Sequence, residues 1–223
     1  MNLVFSLDWL PILGRGMLVT LELTTIAISI GFVIGILLAI GEVYGNRPIR
    51  VLSIAYTTLF RGTPLLVQIF IFYFGFPSIG IMISSFLAGV LALSLNSAAY
   101  QAEYFRGSIQ AVKKDEVIAA RALGMSKLQG ILYVVIPQTL RMVIPSWSNQ
   151  LISLLKFSSL VYMIRVEELM YRGKIIASLT FRSFEVFIIV AMMYLGVVIF
   201  FSNILRMVEK KVRIPGLGYK SAQ

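Results

Sequence analysis

The chain has 223 residues, of which 58% are hydrophobic and only 13% are charged, and its formal net charge is +10. Because the charged fraction is about half that of an ordinary soluble domain, a water-soluble fold is excluded and lipid is the expected solvent. The absence of Cys and His excludes disulfides, thiolate metal sites and imidazole catalysis. In a soluble protein this net charge would indicate a nucleic-acid partner. Here its distribution along the chain predicts membrane topology instead, and no nucleic acid.

Five apolar segments are long enough to cross a bilayer, since the hydrocarbon core takes about 20 helical residues. They predict spans at residues 17–40, 51–76, 79–102, 138–160 and 186–206, within a single domain of residues 1–223. In the first span, Gly31 and Gly35 predict close helix packing rather than a dimer contact. The predicted fold class is therefore an all-α, multi-pass membrane protein with five transmembrane helices.

The basic residues predict the orientation of these spans, because Lys and Arg accumulate on the cytoplasmic side. They follow the first span, surround residues 106–137 and follow the last span: Arg47 and Arg50; Arg106, Lys113, Lys114, Arg121, Lys127 and Arg141; Arg206, Lys210, Lys211, Arg213 and Lys220. This places the N-terminus outside and the C-terminus in the cytoplasm. The segment from Arg165 to Glu185 does not fit, since it carries four basic residues although the same topology places it outside.

Residues 106–137 form the only sizeable segment between two spans that is predicted to lie in the cytoplasm. Asp115 is predicted to cap a short helix, and Glu116 falls in its first turn, where the helix dipole favours an acid. Gly124 is predicted to end this helix in the left-handed conformation, and Ser126 to cap the next one. A cytoplasmic helix with good caps and no further role would explain this much.

That interpretation does not explain why small residues coincide with an Ile-Pro pair at the point where the apolar sequence resumes. The full set is Glu116, Ala119, Ala120, Gly124, Ile136 and Pro137. It resembles the "EAA…G…I-x-LP" loop of permease subunits from ATP-binding-cassette importers. Residues 60–68, FRGTPLLVQ, and residues 95–103, LNSAAYQAE, are similar to segments of the polar amino-acid, or histidine/glutamine-type, permeases of that class.

The resemblance implies the type I importer fold and a membrane subunit that moves amino acids by alternating access. It implies a location in the prokaryotic cytoplasmic (inner) membrane and contact of the loop with a separate ATPase. The implied partners are two ATPase subunits, which hold ATP and Mg, a second permease subunit, identical or different, and an external amino-acid-binding protein. The chain itself would be neither an enzyme nor a cofactor-binding subunit. It has no phosphate loop, because Gly173-Lys174 is followed by Ile175 and lacks the upstream glycine.

An autonomous ion-coupled transporter or channel is the alternative class. It would require acids inside the membrane for a proton or cation relay, and usually an inverted repeat. The chain has Glu103 at the edge of a span and no buried acidic pair. Three roles are open for Arg61, which lies inside an apolar span. It reaches the inner surface, forms a structural ion pair with Glu103, or contacts substrate.

Candidates for the substrate path are polar residues near the middle of the bundle, where transport sites lie. They are Asn96 and Ser97 in the third span, and Lys156, Phe157 and Ser158, with Ser159, in the fourth. Relatives often have an acid at the position of Phe157, and in those that handle cationic amino acids this acid can meet the basic side chain. Phe157 therefore argues against a dedicated arginine or lysine site, unless a sister permease makes the contacts. Simple packing is the other interpretation of Phe157.

Overall fold

The computed structural model describes residues 8–112 and 114–212, and these residues form an all-α protein. Lys113 and the predicted cytoplasmic residues Arg213 and Lys220 lie outside the described part. The α-helices are α1 Trp9–Tyr44, α2 Arg47–Gly62, α3 Leu65–Phe70, α4 Ser85–Ala111, α5 Lys114–Ala122, α6 Lys127–Gly130, α7 Ile136–Met142, α8 Ile144–Phe157, α9 Leu169–Thr180 and α10 Ser183–Val212. Two π-turns, Ile71–Gly75 and Ile131–Val135, and two 3₁₀ segments, Phe76–Ile79 and Ser158–Ile164, extend these helices.

Two of the described helices, α1 and α10, are each long and apolar enough to cross a membrane, and the number rises to four if each bent pair counts as one span. The bent pairs coincide with the second and fourth predicted spans. Arg47–Gly62 meets Leu65–Ile79 at 102°, and Lys127–Met142 meets Ile144–Ile164 at 56°. The first bend has a local cause, since Pro64 disfavours the helical conformation at Thr63, which is extended. The predicted third span lies mostly on α4, so the total of five remains a prediction.

The centre of the fold is the contact between α1 and α4. Gly31 and Gly35 face α4, and a Cβ on Gly31 would lie 2.6 Å from the side-chain nitrogen of Gln101. The two backbones approach closely because these glycines have no side chain, in agreement with the packing role predicted for them. Buried apolar residues of α1 and α4, among them Leu23, Ala27 and Leu93, form the main core.

Helix α9 lies between α1 and α10 in a segment for which no helix was predicted. A Cβ on Gly16 of α1 would lie 2.9 Å from Leu169 Cα, and one on Gly173 of α9 would lie 2.6 Å from Val190 Cγ2 on α10. Each contact therefore requires glycine. In this way α9 is held against the starts of both long apolar helices.

Candidate functional site

In the predicted coupling segment, residues 106–137, α4 continues to Ala111 and the short helix α5 follows. Asp115, predicted as its N-cap, instead lies with Glu116 in the first turn. Gly124 has φ +85°, so the predicted left-handed residue is present. Its N–H donates to Arg121 O, and Met125 N–H donates to Ala120 O, which is the Schellman arrangement that ends many helices.

One face of α5 packs against the chain and the other is free. Val117 joins an apolar cluster at one end of the bundle, and Glu116 Oε2 accepts a hydrogen bond from Gln138 Nε2 on α7. Ala120 is only 5% exposed, so it packs against the chain's own helices. The free face presents Ala119 and Ile118, and Leu123 beside it is 83% exposed. Exposed apolar side chains next to a fixed, packed face are typical of a docking helix.

The second half of the coupling segment is fixed to the turn between α1 and α2. Ser126 and Gln129 form a capping box at the start of α6, in agreement with the cap predicted at Ser126. Lys127 Nζ donates to Tyr44 O at 2.9 Å. Ile136 and Pro137 open α7 directly after the π-turn Ile131–Val135, a local adjustment that accommodates the missing N–H of proline.

Arg61 and Glu103 belong to an inner charge cluster of four residues. Arg61 Nη1 lies 3.4 Å from Glu103 Oε2, but Arg106 Nη2 lies closer to the same oxygen, at 2.8 Å. Arg106 Nε also lies 3.3 Å from Glu42 Oε1. The Arg61 side chain is 42% exposed, so its attraction to Glu103 is weakened by solvent. The cluster joins α1, α2 and α4 at the start of the predicted coupling segment.

Asn96, predicted on the substrate path, forms hydrogen bonds at the break between α2 and α3. Its Nδ2 donates to Phe60 O and to Gln68 Oε1. Gln68 Nε2 in turn donates to Phe60 O, Thr63 O and Thr63 Oγ1. These bonds satisfy carbonyl groups that lose their helical partners at Pro64. Asn96 is therefore tied into the helix break, a role for which the sequence offered no signal.

Ser97 is fully buried in a second polar network. Its Oγ accepts hydrogen bonds from Gln101 Nε2 at 2.9 Å and from Gln150 Nε2 at 3.4 Å. Gln101 also donates to Ile28 O on α1 and accepts from Trp147 Nε1 on α8. The network connects α1, α4 and α8, and the Ser97 hydroxyl accepts its two hydrogen bonds from side chains inside the bundle.

A cavity of about 420 Å³ lies where the end of α8 meets α9 and α10. Its walls are Lys156, Ser159, Met170, Phe187, Val190, Ala191 and Tyr194. Of the predicted path residues, only Lys156 and Ser159 line it. Phe157 is 46% exposed and lies outside the lining, and Ser158 is fully buried, with its hydroxyl donating to Leu155 O. The cavity is named the Lys156 cavity after the basic residue in its wall.

Beside this cavity lies a buried carboxylate that sequence reasoning missed. Glu168 is fully buried, and it accepts hydrogen bonds from Met170 N, Tyr171 N, Tyr194 Oη and Thr20 Oγ1. Burial, the largest effect, raises the pKa of Glu168 to about 7, against the four hydrogen bonds that favour the charged form. The available signal was an acid directly before a helix-forming segment, which is a candidate cap. Within the described residues no group of His, Cys, Asp and Glu has the three members needed to hold a metal.

Comparison with known proteins gives a consistent result. Residues 31–214 match the family model described as "Binding-protein-dependent transport system inner membrane component". The chain is 41% identical over 199 residues to the "Putative glutamine transport system permease protein GlnP" of Rickettsia bellii, covering 89% of this chain and 91% of that one. It is 34% identical over 212 residues to the "Probable glutamine ABC transporter permease protein GlnM" of Bacillus subtilis, covering 95% and 98%.

A solved structure described as "Crystal structure of an amino acid ABC transporter with histidines" is similar over nearly the whole fold. The TM-score is 0.87 at 37% sequence identity, covering 95% of this chain and 99% of that chain. The overall fold described above is therefore similar to that of a solved amino acid ABC transporter.

Proposed function

We propose that this chain, which belongs to the family of binding-protein-dependent transport system inner membrane components, is the permease subunit of an ATP-driven amino-acid importer. It is an all-helical inner-membrane component with the type I importer fold, and it is not an enzyme. The observation that carries the proposal is α5, a short helix fixed to the bundle on one face and apolar on the other.

The free face of α5 is the proposed contact with the ATPase. Ala119, Ile118 and Leu123 offer an apolar surface of the kind that fills a groove on another protein. Glu116 and Ala120 support this contact from behind, since Glu116 bonds to Gln138 and Ala120 is buried. Gly124 ends the helix, and Ile136-Pro137 returns the chain to the bundle. Two such ATPase subunits would bind ATP and Mg, one on each of two permease subunits.

The proposed topology has five spans with the N-terminus outside. α4 is the fifth span, and its polar residues are satisfied inside the bundle by the networks around Asn96 and Gln101. Because the chain has no cysteine, single cysteines test the topology directly. An impermeant maleimide should label Leu179→Cys from outside and Leu123→Cys only after permeabilisation. The reverse labelling would contradict the orientation.

The proposed substrate is an amino acid with an uncharged side chain, glutamine being the first to test. Two similar permeases carry glutamine in their names. The Lys156 cavity supports the idea, since it offers one cation, the Ser159 hydroxyl and apolar walls. Phe157 supplies no acid for a basic side chain. Asn96, Ser97 and Ser158 are engaged within the bundle, so Lys156 is the stronger candidate for a path residue.

Transport by alternating access needs a large shift between two states. Moving an equilibrium from 1:99 to 99:1 takes about 5.5 kcal/mol of differential binding. ATP binding to the partner subunits would supply it through α5, and an external binding protein would deliver the amino acid.

The test is uptake of labelled glutamine by proteoliposomes that contain the permease, its ATPase and its binding protein. Uptake should require ATP and the binding protein together. Uptake without the ATPase, driven by a proton or sodium gradient, would overturn the proposal and favour the ion-coupled alternative. Family membership already argues against that alternative.

A further inference from the structure

We propose that Tyr194 and Glu168 connect the Lys156 cavity to helix α9, so that an amino acid bound in the cavity shifts α9. Tyr194 is then a positioning residue for transport. The proposal rests on the proposed function in one respect, that the ligand of the cavity is the transported amino acid.

Two side chains hold the N-terminus of α9: Thr20 on α1 and Glu168, the N-cap residue of α9. A helix begins with four N–H groups that lack partners within the helix. In α9, Leu169 N–H donates to Thr20 Oγ1 on α1, and Met170 N–H and Tyr171 N–H donate to the Glu168 carboxylate. The position of this carboxylate therefore sets the position of the start of α9.

Tyr194 reaches from the cavity to that carboxylate. Its side chain forms part of the cavity wall, and its hydroxyl donates to Glu168 Oε2 at 2.9 Å. Met170, also in the cavity wall, donates its N–H to the same oxygen at 2.9 Å. This carboxylate oxygen thus receives hydrogen bonds from Tyr194 on α10 and Met170 on α9, which both line the cavity, and a longer one of 3.4 Å from Thr20 Oγ1 on α1.

The chemistry of the cavity selects a ligand with a carboxylate. Lys156 is the one basic residue in the cavity wall, and the wall contains no Asp or Glu. An ammonium group without an acid among its neighbours in the wall attracts an anion. Phe187 and Val190 leave apolar room for the rest of the molecule. An amino acid held there by its carboxylate contacts the Tyr194 ring and changes its position relative to Glu168.

The informative variant is Tyr194→Phe, which keeps the ring in the cavity wall and leaves both backbone donors on Glu168. It removes the hydroxyl that donates to Glu168 and that also interacts with the Thr20 and Ser158 hydroxyls. Tyr56→Phe is the matched control, because the Tyr56 hydroxyl also makes one hydrogen bond of 2.9 Å between helices, to Leu95 O, and Tyr56 does not line the cavity.

The measurement uses the complete importer in proteoliposomes, with a fluorophore on Leu179→Cys, an exposed position of α9, and with the other subunits free of cysteine. Glutamine-loaded binding protein is titrated, and both the fluorescence change of α9 and glutamine uptake are recorded. Tyr194→Phe should reduce the maximal fluorescence change and the maximal uptake rate by about fivefold, the factor expected for one ordinary hydrogen bond. The half-saturating concentration should not change, and Tyr56→Phe should leave both amplitudes at the wild-type value.

A second variant separates binding from transmission. Lys156→Gln should raise the half-saturating concentration while leaving the maximal fluorescence change intact, since it weakens occupancy and not the link. If Tyr194→Phe responds as the wild type does, or if Tyr56→Phe lowers both amplitudes equally, the link is refuted although ATP-dependent uptake stands. If the wild-type complex shows no ATP-dependent uptake, the proposed function and this proposal both fail.

Discussion

Glu103 is held more firmly by Arg106 than by Arg61. Its carboxylate lies 2.8 Å from Arg106 and 3.4 Å from Arg61, and the Arg61 side chain is 42% exposed. The guanidinium of Arg61 also lies 5.6 Å from the centre of the Tyr100 ring, which gives it a second favourable neighbour. Of the three roles open for Arg61, the ion pair with Glu103 is the one that the observed distance supports. Solvent weakens this pair because the Arg61 side chain is partly exposed.

Coupling between Arg61 and Glu103 is testable by a double-mutant cycle. Arg61→Gln and Glu103→Gln should together destabilise less than the sum of the single changes, by up to about 1 kcal/mol, because the pair is partly exposed. Glu103→Gln should cost more than Arg61→Gln, since it also removes the partner of Arg106. The readout is the thermal midpoint in detergent. Arg15→Gln serves as the control, because Arg15 lies at the end of α1 far from the charge cluster and its effect should add to that of Glu103→Gln. Strict additivity for Arg61 and Glu103 would refute the pair.

Phe157 yields a prediction about selectivity. Phe157→Glu places an acid next to Lys156 on an exposed position, so uptake of a basic amino acid should rise relative to glutamine when the binding protein delivers both. Phe157→Gln is the control, because it is polar but carries no charge. A native complex of two identical permeases that already transports arginine best would contradict the prediction.

Glu168 yields a prediction about pH. Burial raises its pKa from the ordinary 4.5 to about 7 in the folded protein. A group with a raised folded pKa contributes stability below its unfolded pKa, and this contribution is lost as the pH rises through the folded value. The thermal midpoint of the wild type should therefore fall between about pH 4.5 and pH 7. Glu168→Gln should flatten this slope, while an unchanged slope would show that other groups cause it.

At the scale of elements, the sequence predicted local features well and breaks in the spans poorly. The end of α5 at Gly124 and the cap at Ser126 were confirmed, because both depend on neighbours a few residues away. The extended Thr63 had a signal in Pro64, but the carbonyl groups at the 102° bend are bonded by Gln68 and by Asn96 of α4. Contacts of this kind join residues far apart in sequence and leave no periodic pattern.

The same limit explains what was missed at the candidate site. Asn96 and Ser97 looked like path residues because they are polar and lie inside a span. Their partners, such as Gln68 and Gln150, become visible only when α3, α4 and α8 are placed together. Glu168 was missed because no helix was predicted after it, although α9 begins at the next residue.

Gly124 gives a prediction for the coupling element. A side chain at φ +85° is strained, so Gly124→Ala should cost roughly 1 kcal/mol, and no clash adds to it because nothing lies within 4 Å of the new Cβ. Gly107→Ala is the matched control, since its Cβ also meets nothing but it lies within α4. The measurement is the yield of assembled permease–ATPase complex. Gly124→Ala should reduce it, Gly107→Ala should not, and equal yields would contradict a role of this helix end in docking.

At the scale of the whole molecule, the chain presents different surfaces to different partners. The exposed residues of α10, such as Met192 and Ile199, suit lipid, while the exposed apolar residues of α5 lie on a segment that the positive-inside rule places in water. Apolar side chains in water need a protein partner. The bent pair of Lys127–Met142 and Ile144–Ile164 runs from the coupling segment to the Lys156 cavity.

The most direct test of this arrangement is a photo-crosslink from α5 in the assembled importer. Leu123→Cys would be the only cysteine of the chain, and it is labelled with a photoactivatable maleimide before illumination. The expected product contains this 24.9 kDa chain joined to one ATPase subunit, and its yield should change when ATP is added. Met192→Cys on α10 should give no such product. Absence of the ATPase adduct from Leu123→Cys in a complex that still transports glutamine would contradict the central claim that α5 is the contact through which ATP drives this permease.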